Sequence, residues 1–346
     1  MAAPPPPAPP ALGVCIAHWE LLQADVEAAV PRLFSRVVVG NTPAAFDALR
    51  ATDEPIVLLI GGPGVHDVLK DLCAWRHAVT GQKRVAWVHS YYTGLDSFNL
   101  APIADILDGV PISNARGAFS VMLAEHVLFA TMYFNRQLCR LHANHDARRW
   151  ERFGMKQNKG QRMTIVGYGD IGAEVGRMAI QGFGMHVTGV KSRPPATPTD
   201  AHGAVLVHGE EALKEALATA DFVVAVLPLT PQTKHCLGLA QFRQMKKDAV
   251  FINIGRGATM VEADVAQAIA EGSIHGAALD VFEVEPLPTD SPLWALPKEK
   301  LLLSSHNADL SAHSYEDAGR QFLQWAEDFS LRGRLPEYLA DPKRGY

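Results

Sequence analysis

The chain has 346 residues, 48% of them hydrophobic and 20% charged, with a formal net charge of −5. That length corresponds to about two domains, and the composition excludes bulk disorder. The missing basic excess argues against nucleic acid as a partner, and no apolar run approaches the ~20 residues that cross a bilayer, so no membrane partner is expected.

The opening Met1-Ala2-Ala3 and the prolines after it lack the charged and apolar regions of a secretory leader and the Arg and Ser of a transit peptide. Residues 1–12 read as a disordered, Pro-rich tail. The closing Arg344-Gly345-Tyr346 is not a peroxisomal address. From Val14 onward apolar runs alternate with helical patterns. Val14–Ala17, Val37–Val39, Ile56–Ile60, Val85–Val88 and the run at Ile112 read as buried strands, with helices at Leu21–Val30 and Thr42–Ala51. Phe119–Leu141 reads as one long helix, too apolar to face water on all sides. It is followed by a basic surface loop, Arg148–Arg162. A second alternation runs through Thr164–Gly167, His186–Val190, Val205–Val207, Phe222–Leu227, Val250–Ile254, Ala277–Val281 and Leu301–Ser304, and a helix closes at Ser311–Leu331. The expected fold class is α/β, with two doubly wound parallel-sheet domains. Cys15, Cys73, Cys139 and Cys236 lie far apart without metal spacing, which points to reduced thiols, no metal and a cytoplasmic location.

A strand, Met163–Val166, runs into Gly167-Tyr168-Gly169-Asp170-Ile171-Gly172 and then a helical segment. In that context Gly167 permits the tight turn, Gly169 lets the backbone approach a pyrophosphate, and Gly172 lets helix and strand pack closely. A dinucleotide is the implied cofactor. At the end of the next strand an acidic residue would hold the ribose of NAD, but Lys191-Ser192-Arg193 stands there. Two cations and a hydroxyl suit a 2′-phosphate, so NADP(H) is the expected preference with NAD(H) possible. The plainer reading of Lys191 and Arg193 is solvated charge on a Pro-rich loop.

Further motifs follow later strands: Asn253-Ile254-Gly255-Arg256-Gly257, Asp280-Val281-Phe282-Glu283-Val284-Glu285-Pro286 and Ser304-Ser305-His306-Asn307-Ala308. With Gly94-Leu95-Asp96, Gly109-Val110-Pro111-Ile112-Ser113-Asn114, Leu123-Ala124-Glu125-His126 and Pro228-Leu229-Thr230-Pro231-Gln232-Thr233, this set resembles the D-isomer-specific 2-hydroxyacid dehydrogenases from about Val85 to Tyr315. The resemblance implies a Rossmann nucleotide domain at 118–311 and a discontinuous, flavodoxin-like substrate domain at 13–117 and 312–346.

It also implies roles. Arg256 would bind the substrate carboxylate and polarise its carbonyl, His306 would be the acid–base group, and Glu285 would hydrogen-bond His306, with Glu283 as the competing partner. The chemistry agrees: a guanidinium orients a carboxylate with two bonds, imidazole exchanges protons near neutral pH, and a neighbouring carboxylate favours its charged form. Asp280 would accept from the nicotinamide carboxamide or be a turn aspartate. Leu227, Pro228 and Thr233 would line ribose and pyrophosphate or merely build a loop, and Ile254 would pack on the nicotinamide or be core. Thr93 and Gly94 would offer backbone N–H groups to the substrate or form a plain turn. His18, His66, His89, His126 and His208 are read as structural.

The chain departs from the family pattern at Ser305, where a proline is usual, at Asp309, where a small glycine is usual, at Phe119, and at Tyr91 and Tyr92, which make the substrate loop bulkier. The expected function is NADPH-preferring reduction of a small 2-oxo acid such as glyoxylate or hydroxypyruvate to the D-2-hydroxy acid, by a homodimer. The alternatives are a phosphoglycerate or formate dehydrogenase of the same fold, and a dinucleotide-sensing scaffold or corepressor.

Overall fold

The computed structural model describes residues 9–342. The proline-rich run at 1–8 and the C-terminal Arg344-Gly345-Tyr346 lie outside the described residues. The chain divides into two compact units, one built from the residues up to Phe119 and those from Ala312, the other from Ser120–Ser311.

In the first unit strand β1 spans Ala11–Ile16, β2 Val37–Val39, β3 Ile56–Gly61, β4 Val85–Ser90 and β5 Ile112–Asn114. They pair in parallel in the order β2-β1-β3-β4-β5, the flavodoxin-like arrangement. Strand β1 lies between two neighbours, so its Ala-Leu-Gly-Val-Cys run is buried on both faces. Ala11 and Leu12, expected in the unfolded tail, are therefore strand residues at 0% exposure, opposite Ile56 and Val37 respectively. The C-terminal helix Ser314–Arg332 sets Phe322 against Trp87 and stacks it on His89.

His89 is wholly buried there. Ser113 Oγ accepts from Trp87 Nε1 and is also hydrogen-bonded to His89 Nδ1, both at 2.8 Å. Burial pushes the His89 pKa down from 6.5 to about 3. Below pH 6.5 the unfolded chain takes up a proton that the native state refuses, so stability is lost as the pH falls through this window. By pH 5 the loss from this residue is about 2 kcal/mol. Urea unfolding at pH 7 and pH 5 should show that drop, and His89→Gln should flatten it; an equal drop in the variant would exclude His89 as the cause.

In the second unit β6 is Arg162–Val166, β7 His186–Lys191, β8 Val205–His208, β9 Phe222–Ala225, β10 Val250–Asn253, β11 Gly276–Leu279 and β12 Leu301–Leu303. All pair in parallel in the order β12-β11-β10-β9-β6-β7-β8. The order reverses between β6 and β9, where open α/β sheets form ligand crevices at the carboxyl edge.

The expected single helix Phe119–Leu141 is two helices, Ser120–Asn135 and Leu138–Asp146. Gln137 takes φ 51° between them. The segment after the helices returns to the break: Lys156 N–H donates to the Asn135 carbonyl at 3.0 Å, and Gln137 Nε2 to the Gly154 carbonyl at 2.7 Å. The first bond satisfies a carbonyl at the helix end that an uninterrupted helix would have satisfied itself, and the second ties the break to the returning segment. The first helix buries Leu123, Val127 and Leu128 and packs on helix Asp170–Phe183, while Val121 and Phe129 stay exposed. Among the described residues no helix is long and apolar enough to cross a membrane.

Candidate active site

Strand β6 ends at the switch point in the glycine loop. Gly167 has φ +96°, and a Cβ on it would lie 2.4 Å from the Val226 carbonyl oxygen, so only glycine fits. Gly172 is packed against the same turn, where a Cβ would sit 2.8 Å from the Gly167 oxygen. Gly169 differs: a Cβ there would meet nothing within 4 Å, which leaves its backbone approachable. Gly169 also caps the 14-residue helix Asp170–Phe183, whose first N–H groups and positive dipole end suit a phosphate. Asp170 accepts from Ser120 Oγ at 2.6 Å, and Ile171 is half-buried. This cradle fits the pyrophosphate of a dinucleotide.

At the end of β7, Lys191 Nζ spends one donor on the Tyr168 carbonyl at 2.9 Å, while Ser192 and Arg193 are exposed. Tyr168, in the middle of the glycine loop, is buried. Its ring occupies space left by two glycines: a Cβ on Gly176 would lie 2.5 Å from the hydroxyl, and one on Gly189 2.4 Å from the ring. The hydroxyl donates to Asp200 Oδ2 at 2.6 Å, and Asp200 Oδ1 accepts from His202 and Ala204 N–H. Burial works to raise the Asp200 pKa, but these bonds together hold it below the ordinary value. Tyr168 and Asp200 thus tie the glycine loop to the segment beyond Arg193. Sequence reasoning passed over both; the signal was a glycine on the helix and another on the adjoining strand, with one aromatic residue to fill the gap.

The next loops lie at the ends of β9 and β10. Thr233 Oγ1 donates to the Pro228 carbonyl at 2.6 Å and accepts from Thr230 N–H at 2.8 Å, so Thr233 closes the loop that Leu227 and Pro228 begin. Ile254 is buried at 5% exposure. The Arg256 backbone is locked: its carbonyl accepts from Thr259 Oγ1 at 2.6 Å and Asn253 Nδ2 at 3.2 Å. Gly257 presses on the following loop so closely that a Cβ would lie 1.9 Å from the Phe282 carbonyl carbon. The half-buried Arg256 side chain donates from Nη1 to the Gly255 carbonyl at 2.9 Å.

Of the two candidate carboxylates, Glu285 reaches the histidine: His306 Nδ1 lies 2.7 Å from Glu285 Oε2. Phe282 N–H holds the other Glu285 oxygen at 2.9 Å. Glu283 is engaged elsewhere, with His235 Nε2 at 3.0 Å and with Glu262 N–H at 2.6 Å. His306 itself adopts φ 51°, a left-handed conformation that a non-glycine residue keeps only when its surroundings impose it. Asp280 does so. Its carbonyl accepts from His306 N–H at 2.8 Å, and its buried carboxylate takes Asn307 N–H at 3.1 Å, Ala308 N–H at 3.2 Å and Ser304 Oγ at 2.6 Å. Ser304 in turn lies 3.3 Å from His126 Nε2. Burial lowers the His126 pKa, against the pull of Asp280. His126, read as structural, therefore stands at the base of the hydrogen-bonded chain that sets the His306 turn.

Thr93 and Gly94 belong to the first unit, where they are half-buried after strand β4. The Thr93 carbonyl accepts from Asn114 Nδ2 at 2.7 Å. Tyr91 does not add bulk to that loop, because it is 1% exposed and its hydroxyl donates to the Tyr315 carbonyl at 2.5 Å.

Residues 128–308 match the family model described as D-isomer specific 2-hydroxyacid dehydrogenase, NAD binding domain. The chain is 30% identical over 250 residues to a D-3-phosphoglycerate dehydrogenase of Methanocaldococcus jannaschii, covering 72% of this chain and 46% of that one. It is 42% identical over 137 residues to a glyoxylate/hydroxypyruvate reductase B of Enterobacter sp. strain 638, covering 40% of this chain and 41% of that one. The matches thus span less than half the length of these two relatives. A crystal structure of a D-isomer specific 2-hydroxyacid dehydrogenase from Xanthobacter autotrophicus Py2, in complex with NADPH and MES, superposes with a TM-score of 0.76 at 27% identity, covering 98% of this chain and 100% of that one.

Proposed function

Because the chain belongs to the D-isomer specific 2-hydroxyacid dehydrogenase family, we propose that it reduces a small 2-oxo acid to the D-2-hydroxy acid, with NADPH preferred over NADH. Glyoxylate and hydroxypyruvate are the substrates of choice, in line with the name of the Enterobacter relative. The observation that carries the reading is the 2.7 Å pair of His306 and Glu285 at the same sheet edge as the Arg256 loop.

When bound, the dihydronicotinamide supplies the two electrons and one hydrogen that the oxo carbon gains. Arg256 holds the substrate carboxylate and draws electron density from the carbonyl. Glu285 accepts the Nδ1 proton of His306 and fixes the ring, which leaves Nε2 to hand its proton to the carbonyl oxygen. Asp280 keeps the His306 turn in place, and its Oδ2 has a lone pair beyond the Ala308 bond for the carboxamide. Gly167, Gly169 and Gly172 with the N–H groups of Asp170 and Ile171 cradle the pyrophosphate. Leu227, Pro228 and Thr233 line its loop, and Ile254 backs the nicotinamide.

Lys191, Ser192 and Arg193 would take the 2′-phosphate, and the NADPH found with the Xanthobacter protein supports that choice. Arg193→Ala should weaken NADPH by roughly 1.5–3 kcal/mol, the scale of a hydrogen bond to a charged group, and leave NADH nearly unchanged. Fluorescence titration with each nucleotide reads this, and equal losses for both would refute it. The exposed apolar side chains of Val121, Phe129 and Trp150 offer a second copy a surface to cover, so a homodimer is proposed. A cytoplasmic location belongs to the same reading. The deciding experiment is turnover of a 2-oxo acid panel, phosphorylated members included, with NADPH and NADH; no turnover of any member would end the proposal.

A further inference from the structure

A carboxylate stands three residues beyond His306, and the steps above leave it without a task. We propose that Asp309 is a specificity-determining residue: it turns the site against 2-oxo acids that carry a second negative charge, so that the substrates are monoanions. The inference rests on the proposed reduction of a 2-oxo acid.

Placement comes first. The backbone from His306 to Ala308 is pinned to Asp280 by bonds of 2.8, 3.1 and 3.2 Å, and Leu310 N–H closes on the Asn307 carbonyl at 3.1 Å. Asp309 lies inside that turn, three residues beyond His306, and is half-buried. Its carboxyl lies within electrostatic range of His306, Asp280 and Arg256. Burial pushes its pKa up and Asp280 adds to the rise, while His306 and Arg256 pull it down. The guanidinium assigned to the substrate carboxylate is therefore the one that Asp309 also feels.

Charge decides the rest. The first carboxylate of a 2-oxo acid is balanced by Arg256. A second anionic group gains no such balance and enters a region that already holds Asp280, Glu285 and Asp309. For unit charges several ångströms apart at a partly wet site, one added repulsion amounts to about tenfold in binding. A monoanion meets that repulsion once and a dianion twice, so removing the Asp309 charge favours the dianion by about that factor.

The test compares wild type with Asp309→Asn, which keeps the shape and removes the charge. It measures kcat/KM for hydroxypyruvate, a monoanion, and oxaloacetate, a dianion. Calorimetric Kd values for glycolate and tartronate, taken with NADPH present so that neither reacts, supply a readout free of turnover. The expected result is a rise of about tenfold in the oxaloacetate-to-hydroxypyruvate ratio, with a matching shift towards tartronate. Ratios that stay within about twofold overturn the proposal, and so does an equal gain for both charges, because Asp309 would then merely compete for Arg256. Asp309→Gly carries the same expectation should the asparagine variant fold poorly. If wild type reduces neither oxo acid and binds neither analogue, the underlying reading falls and takes this one with it. If it reduces hydroxypyruvate while the ratios do not move, only the role of Asp309 falls.

Discussion

His306→Asn should lower kcat by about 10²–10⁴-fold, the size of a lost general acid. Asparagine suits the test because it tolerates the left-handed conformation, φ 51°, that His306 adopts, so the turn on Asp280 should survive. Alanine would confound lost chemistry with a strained turn. With Nδ1 committed to Glu285 at 2.7 Å, the imidazole has one nitrogen left for the substrate, and the variant must draw the proton from water. Dinucleotide affinity should stay as in wild type, because the glycine loop follows β6 and the Arg193 segment follows β7, whereas His306 follows β12 at the edge of the sheet. Single-turnover absorbance of the dihydronicotinamide reads the chemical step directly. A variant that retains more than about a tenth of the wild-type rate would remove His306 from the role of proton donor.

Arg256→Gln should reduce kcat/KM for the 2-oxo acid by about 10²–10³-fold, equivalent to about 3–4 kcal/mol for two hydrogen bonds between charged groups. The loss should be larger for carboxylate-bearing substrates than for a plain ketone of similar size, since the ketone loses only the pull on its carbonyl and the oxo acid loses the two-bond fork as well. Arg256→Lys should recover only part, because an ammonium is a point charge that cannot offer two parallel donors. The backbone at Arg256 is held by Asn253 and Thr259 whatever side chain it carries, so the comparison reads the side chain alone. Equal losses for the ketone and the oxo acid would point to a distorted loop and would undo the assignment.

The features legible in the sequence are those that local pattern decides. The strand before the glycines and the helix after them follow from apolar runs and from glycines that a Cβ would block, as at Gly167. The resemblance puts Glu285 ahead of Glu283, and the geometry gives a physical reason: Glu283 is engaged with His235 and the start of helix Glu262–Ala270. What escaped notice depends on contacts between distant residues. The helix break at Gln137 is made by Gly154 and Lys156 returning from further along the chain, and no periodicity in Phe119–Leu141 announces it. The prolines before Ala11 hid the start of a central strand, since tail and strand differ there only in what lies alongside. Tyr91 reads as a bulky loop residue, whereas its hydroxyl bonds to the Tyr315 carbonyl, 224 residues away in sequence. His126 reads as structural, and the partner that gives it that place, Ser304 beside Asp280, lies 178 residues along the chain, where no local pattern points to it.

The alignment of Leu279 beside Leu303 has a bearing on how such a chain can diverge. His306 follows the last strand of its sheet by three positions, and Glu285 follows the adjoining strand by six, so their meeting is inherited from the pairing of β11 with β12. An insertion or deletion of one codon within Leu301–Leu303 could preserve a parallel ladder and still carry the imidazole about 3.3 Å out of reach of its acid. Natural variation at this edge of the protein should accordingly proceed by exchanging one side chain for another, with chain length changing only past Ala308, where the turn has been tied off.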